Sequence, residues 1–129
     1  MNALLWVLQV LLAAAFFAHG MLFLTPPANM VEQLSVFPRP FQIFLGTAEV
    51  LAAIGLTLPG ITRIQPWLVP CAAAGVMIVM IGATILHTAR GEVSSAITTA
   101  ILLAIATFIA YMRWKVMPIR PRTALRRAA

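Results

Sequence analysis

Acidic residues are almost missing from this chain. It has no aspartate and only three glutamates, Glu32, Glu49 and Glu92, against nine lysines and arginines, and charged residues of both signs make up 9% of its 129 positions. Soluble domains carry about a quarter charged residues. With 62% hydrophobic residues and a mean hydropathy of +0.99, a single unit of this length has far too much apolar surface to hide from water. The lone cysteine, Cys71, excludes an internal disulfide and any CxxC redox or metal pair; in an apolar segment it reads as a buried, inert thiol. Phosphate-cradling glycine loops, a metal-ligand set and a nucleophile triad are absent too. No intrinsic cofactor and no metal is therefore expected, and a non-catalytic subunit is a better expectation than a self-sufficient enzyme.

What the chain does have is four apolar runs, at about residues 3–24, 41–61, 67–87 and 94–112. Each approaches or exceeds the roughly 20 residues that cross a hydrocarbon core of about 30 Å. A backbone in lipid must satisfy its own hydrogen bonds, and a chain too short to close a barrel does so only as helix. The expected fold is an all-α membrane protein: a four-helix transmembrane bundle over residues 1–114, followed by a basic tail over 115–129. The first run is not read as a signal peptide, because it lacks a basic leading region and exceeds the roughly 7–15 apolar residues of such a segment.

Prolines mark the breaks. Pro26 and Pro27 end the first span, Pro38 and Pro40 precede the second, Pro59 with Gly60 punctuates its end, and Pro66 precedes the third, with Pro70 in its first turn. The short Arg90-Gly91-Glu92 turn makes spans three and four antiparallel neighbours. In the longest loop, residues 25–40, Asn29 and Glu32 have capping-box spacing, and Met30, Val31, Leu34 and Phe37 share one helical face. This predicts a short amphipathic interfacial helix between spans one and two.

Six of the nine basic residues, Arg113, Lys115, Arg120, Arg122, Arg126 and Arg127, follow the last span closely. With Arg63 they put seven basic residues on one side of the membrane, against Arg39 and Arg90 on the other. The positive-inside rule then places both termini in the cytoplasm, with the tail near anionic lipid headgroups, and no nucleic-acid partner is expected. Trp6, Trp67, Tyr111 and Trp114 fall near the same interface, as anchoring aromatics do.

The most informative residue is Glu49, because an ionisable side chain inside a span is costly and is by default a functional hypothesis. It lies roughly 12 Å below the outer end of the second span. Gly46, Ala52 and Ala53 give that helix face small side chains, which turn it toward other helices. His19, roughly 7–8 Å below the same surface, is the candidate partner. Thr84, Thr98 and Thr99 lie at comparable depth, so one polar layer drawn from all four spans is expected in the outer half of the bundle. A carboxyl that merely ties helices together stands beside proton relay and ligand binding as a reading of Glu49. His87, closing the third span beside Arg90 and Glu92, is a secondary candidate, read first as an interfacial histidine. A haem between the two histidines is disfavoured by their roughly 6 Å difference in depth.

Two stretches carry a family resemblance. Residues 46–59, GTAEVLAAIGLTLP, and 85–92, ILHTARGE, are similar to the G-x-x-E-x-x-x-x-x-G-L-x-x-P and H-x-x-R-G-E patterns of the DoxX-like family of small bacterial membrane proteins. The resemblance runs over nearly all of residues 1–114. It implies a four-helix bundle in a bacterial inner membrane and, by association, an accessory subunit of a larger, quinone-linked redox complex, with other membrane subunits as partners and quinone as a possible ligand. Where the family often has Gly followed shortly by Lys, residues 18–24 read AHGMLFL, without the lysine. Two alternatives remain open: an oxidoreductase subunit using Glu49 and His19 on a quinone or lipid head, and a small proton-coupled transporter.

The charge count makes a direct prediction about topology. In a Cys71→Ser background, a cysteine at Ala28 is expected to react with a membrane-impermeant maleimide in intact cells, and one at Gln65 only after permeabilisation. The reverse pattern would invert the orientation.

Overall fold

The computed structural model describes residues 1–123, so Arg126 and Arg127 of the basic tail lie outside the described residues. Among the described residues the elements are α1 (Asn2–Leu24), α2 (Val31–Leu34), α3 (Arg39–Thr62), α4 (Leu68–Ala89) and α5 (Val93–Tyr111), the last running into a π-helical turn, Met112–Val116. Helices α1, α3 and α4, together with α5 and its π-helical extension, are long and apolar enough to cross a membrane. They pass up and down in turn. One end of the bundle, here the basal end, carries Met1, the α3–α4 turn and the chain after α5; the distal end carries α2 and the α4–α5 turn.

The spans are apolar on every side, as expected of helices in lipid rather than on a soluble core. Leu12, Ala13, Phe16, Ala53, Leu56, Ala73, Val76, Met80, Ala106 and Ile109 form the interior. Large side chains such as Leu11, Phe44, Leu51, Ile78 and Ile85 stand on the outside, each more than half exposed or nearly so. Several threonines in the spans return their hydroxyls to their own helices, for example Thr57 to the Ala53 carbonyl at 3.0 Å and Thr107 to that of Leu103 at 2.7 Å, which keeps those hydroxyls from facing hydrocarbon unpaired.

Helix α1 meets α3 through glycine. A Cβ on Gly20 would lie 2.8 Å from the Gly46 carbonyl oxygen, and one on Gly46 would lie 2.7 Å from the Gly20 carbonyl oxygen. Neither backbone can retreat without separating the helices. Any other residue at either position is excluded by the opposing main chain, the small-residue packing that membrane helices use in place of a hydrophobic drive. Lower down, Gly55 repeats the device against Ala72 of α4, where a Cβ would stand 2.8 Å from the alanine methyl.

Several boundaries differ from the sequence reading. Helix α3 starts at Arg39 with Pro40 in its first turn and continues past Pro59 to Thr62, stopping at Arg63, whose φ of 57° is left-handed. Pro59 lies in the last turns, where only one backbone bond is lost, so the helix absorbs it. The capping box does not form: Met30 is the N-cap of α2, with no side-chain cap bond, and α2 is a single turn. The distal loop is instead fastened by two unforeseen residues. Arg39 donates to the Phe23 and Leu24 carbonyls at 2.8 and 2.6 Å, placing a cation on the open C-terminus of α1. Gln42 donates to the Leu34 and Phe37 carbonyls, each at 2.8 Å. Phe37 in turn sits between Phe23 and Phe41, with ring centroids 6.2 and 5.5 Å away.

Gly46→Val is expected to destabilise the protein in detergent by about 1–3 kcal/mol or to abolish folding, as overpacking against backbone does. Gly82→Ala, with nothing within 4 Å of the added methyl, is expected to stay within about 0.5 kcal/mol of the parent. Thermal or denaturant unfolding of the purified chain measures both, and equal effects would remove the glycine contact from the account.

Candidate functional site

The glycine contact sets what happens one residue away on each helix turn. Gly20 and Gly46 bring α1 and α3 close enough for His19, beside Gly20, to reach Glu49, one turn after Gly46. The His19 Nδ1 and Glu49 Oε2 atoms are 2.7 Å apart. The two partners differ sharply in environment. The Glu49 side chain is 1% exposed, whereas that of His19 is 54% exposed. Among the described residues, His19 is the only side chain bonded to the carboxyl group.

This geometry has a definite chemistry. A bond of this length requires a proton between nitrogen and oxygen, so the pair holds at least one. When it holds a second, the imidazole presents an Nε2–H on its open side, whether the first is drawn on nitrogen or on oxygen; after that proton leaves, Nε2 is an acceptor and the Nδ1–H still satisfies the buried carboxylate. The dyad thus joins a buried acid to the outer surface through one ring. Phe23, its centroid 5.0 Å from that of His19 at a 53° tilt, walls one side of the ring.

The threonines separate. Thr84 of α4 and Thr99 of α5 have hydroxyls 2.9 Å apart, so one donates to the other and the remaining proton goes to a helix carbonyl, Met80 for Thr84 or Ala96 for Thr99. Thr98 does not join them. It is exposed and returns its hydroxyl to Ser94 at 3.0 Å, because a step of one residue turns a side chain about 100° around the helix. No hydrogen bond among the described residues links the threonine pair to His19 and Glu49, so the expected single layer is two pairs, one between α1 and α3 and one between α4 and α5.

His87 serves the α4–α5 turn. Its Nδ1 is bonded to the Glu92 carboxylate, the Glu92 N–H donates to the His87 carbonyl at 2.9 Å, and Gly91 supplies the left-handed φ of 72° that lets the chain reverse. Arg90 leaves this turn to lie 5.6 Å from the Phe37 ring centroid. The H-x-x-R-G-E stretch is therefore a clasp at the distal end.

Basal polar residues were not among the candidates read from the sequence. Gln9 and Arg113 are both buried, at 0% and 3% exposure, and Arg113 had been assigned to the flanking basic residues. A glutamine eight residues into an apolar run was the available signal, since polar side chains at that depth need partners.

Four antiparallel membrane-spanning helices around an apolar interior, with polar side chains paired across them, define a multi-pass membrane protein. The profile of the DoxX-like family matches residues 7–109, and the chain belongs to that family. No curated protein and no solved structure matches it.

The dyad can be tested by a double-mutant cycle. His19→Ala removes the bond to the buried Glu49 carboxyl and is expected to cost about 1–3 kcal/mol; adding Glu49→Ala should recover part of that, with a coupling of about 0.5–3 kcal/mol. Thr98→Val should be silent. Additive effects of the first two substitutions would mean that the side chains do not interact.

Proposed function

We propose that this protein is an accessory membrane subunit of a larger, quinone-linked redox assembly in a bacterial inner membrane, and that the His19–Glu49 dyad is where it meets the head of a lipid-soluble ligand. The observation that carries this reading is the open side of His19. A ring nitrogen exposed on the side of a spanning helix has no water to bond in the hydrocarbon region, and a carbonyl-bearing ring arriving laterally through the bilayer offers it an acceptor. The imidazole donates to that carbonyl oxygen, Glu49 holds the imidazole in place and balances the proton that moves, and Phe23 supplies an apolar wall.

The division of labour follows from what this chain contains. Quinone chemistry requires two electrons with two protons, and the sequence offers positioning and proton-handling groups but no recognised redox centre. The electrons belong to a partner subunit. In the proposed orientation the termini are cytoplasmic, the dyad lies in the outer half of the membrane, and the basic tail rests against anionic headgroups.

Glu49→Gln keeps the size of the side chain and its ability to hydrogen-bond while removing the carboxyl group. In the assembly purified in mild detergent, this variant is expected to retain its partner subunits and to lose quinone-linked turnover by about a hundredfold, the scale of general acid–base catalysis. Unchanged turnover would eliminate the dyad's role; a chain that purifies without any partner would eliminate the accessory role.

A further inference from the structure

At the basal end, remote from the dyad, lies a buried positive charge that no described residue neutralises. Arg113 is 3% exposed. Its Nε–H donates to Gln9 Oε1 at 2.6 Å, and Nη1 donates to Asn2 Oδ1 at 2.8 Å and to the Met117 carbonyl at 3.3 Å. Gln9 is itself locked, donating from Nε2 to the Leu56 carbonyl at 2.9 Å. Every acceptor Arg113 meets is neutral. Its second terminal nitrogen, Nη2, is buried and has no hydrogen-bond partner among the described residues.

No acidic side chain of this chain is placed to compensate. Of the three in the sequence, Glu32 is in α2, Glu49 is in the distal half of α3 bonded to His19, and Glu92 is in the distal α4–α5 turn. An unpaired, desolvated guanidinium is among the costliest features a fold can carry. Here it is held by two side chains of α1 and by the Met117 carbonyl, and it lies against an opening. A cavity of about 590 Å³ is lined by Arg113 together with Arg63, Arg120, Asn2, Trp6 and Gly60.

The surrounding backbone is shaped around that cavity. The π-helical turn at Met112–Val116 widens the end of α5 where Arg113 turns inward, a local departure frequent at functional sites. Arg63 terminates α3 in a left-handed conformation, and its carbonyl accepts from the Arg122 N–H at 3.1 Å, so the chain after α5 folds back over the basal end. The Arg113 Cζ lies over Trp6, 5.4 Å from its ring centroid, a cation–π contact.

We propose that this cavity is a binding site for one phosphate-class oxyanion, with Arg113 as its floor and Arg63 and Arg120 as its rim. A guanidinium held through one edge with the other nitrogen free suits a tetrahedral oxyanion, which supplies both the missing acceptor and the missing negative charge. The volume admits a phosphate group with substituents, so the source is either the head of an anionic phospholipid or free phosphate. The site is distinct from general attraction of the basic tail to a membrane surface, because a buried pair resists salt screening that abolishes exposed attraction.

The test uses the full chain in mild detergent, titrated separately with phosphatidylglycerol, phosphatidylcholine and inorganic phosphate, with binding read by native mass spectrometry and by thermal stabilisation in 0.05 and 0.5 M salt. One equivalent of phosphatidylglycerol is expected to remain bound at high salt, about tenfold more tightly than phosphatidylcholine, and Arg113→Gln is expected to weaken it by about tenfold or more. Stabilisation by inorganic phosphate alone, lost in the same variant, would assign the site to a free anion. Because Arg113→Gln alters the packed interior, the double variant Arg63→Gln/Arg120→Gln, confined to the exposed rim, provides the second reading and should weaken binding with the unfolding temperature of the unliganded protein unchanged. Binding that disappears in 0.5 M salt, that is equal for both lipids, or that is untouched by both variants overturns the proposal.

Discussion

The contact between Gly20 and Gly46 is the constraint on which the distal half of this bundle depends. In lipid, helices gain nothing by hiding apolar surface, and close backbone approach with its dense van der Waals contact is what remains. Each glycine faces the carbonyl of the other, at a separation that leaves no room for a Cβ on either. With the backbones so near, His19 and Glu49 fall within hydrogen-bond distance although their helices run in opposite directions. Above them the open end of α1 is close enough to the start of α3 for Arg39 to bond its last carbonyls.

Polarity is separated along the bundle axis. The acids and both histidines are distal, and the basic residues are concentrated at the basal end. Each end has solved the burial of a charged or titratable side chain differently. The distal carboxyl is paired with an imidazole that opens outward, whereas the basal guanidinium is tied to two amides and a carbonyl, with one nitrogen left over. Between them lies an interior of Leu, Val, Ala, Ile, Phe and Met side chains, and no hydrogen bond among the described residues joins the two ends.

Much of this was legible in the sequence because the membrane simplifies the problem. Apolar length fixes the spans, and the spans fix helix as their only state. Glu49 announced itself as the sole acid within them, and His19 could be matched to it by counting depth along the helices. Rotation about the helix axis was harder to read. Thr98 and Thr99 are adjacent in sequence, but only Thr99 faces Thr84, and nothing in the order of residues told them apart. The inward turn of Arg113 was hidden for a related reason: a basic residue after an apolar run looks like a flanking anchor until the π-helical turn carries it back among Gln9, Asn2 and Trp6. Likewise Arg39, counted only toward the charge balance, and Gln42, within the second apolar run, serve as caps whose carbonyl partners only the tertiary fold brings near.

The central claim is that α1 and α3 hold the His19 ring against a buried Glu49 carboxyl while its other nitrogen stays open. The chain has only two histidines, so ¹⁵N NMR of imidazole-labelled protein in lipid nanodiscs, with His87→Ala to assign the signals, observes this directly. The account predicts an Nδ1 resonance for His19 shifted by a hydrogen bond to the carboxyl group, and a change in that resonance on Glu49→Gln, with no change on Thr98→Val. A His19 spectrum identical in the parent and Glu49→Gln proteins would contradict it.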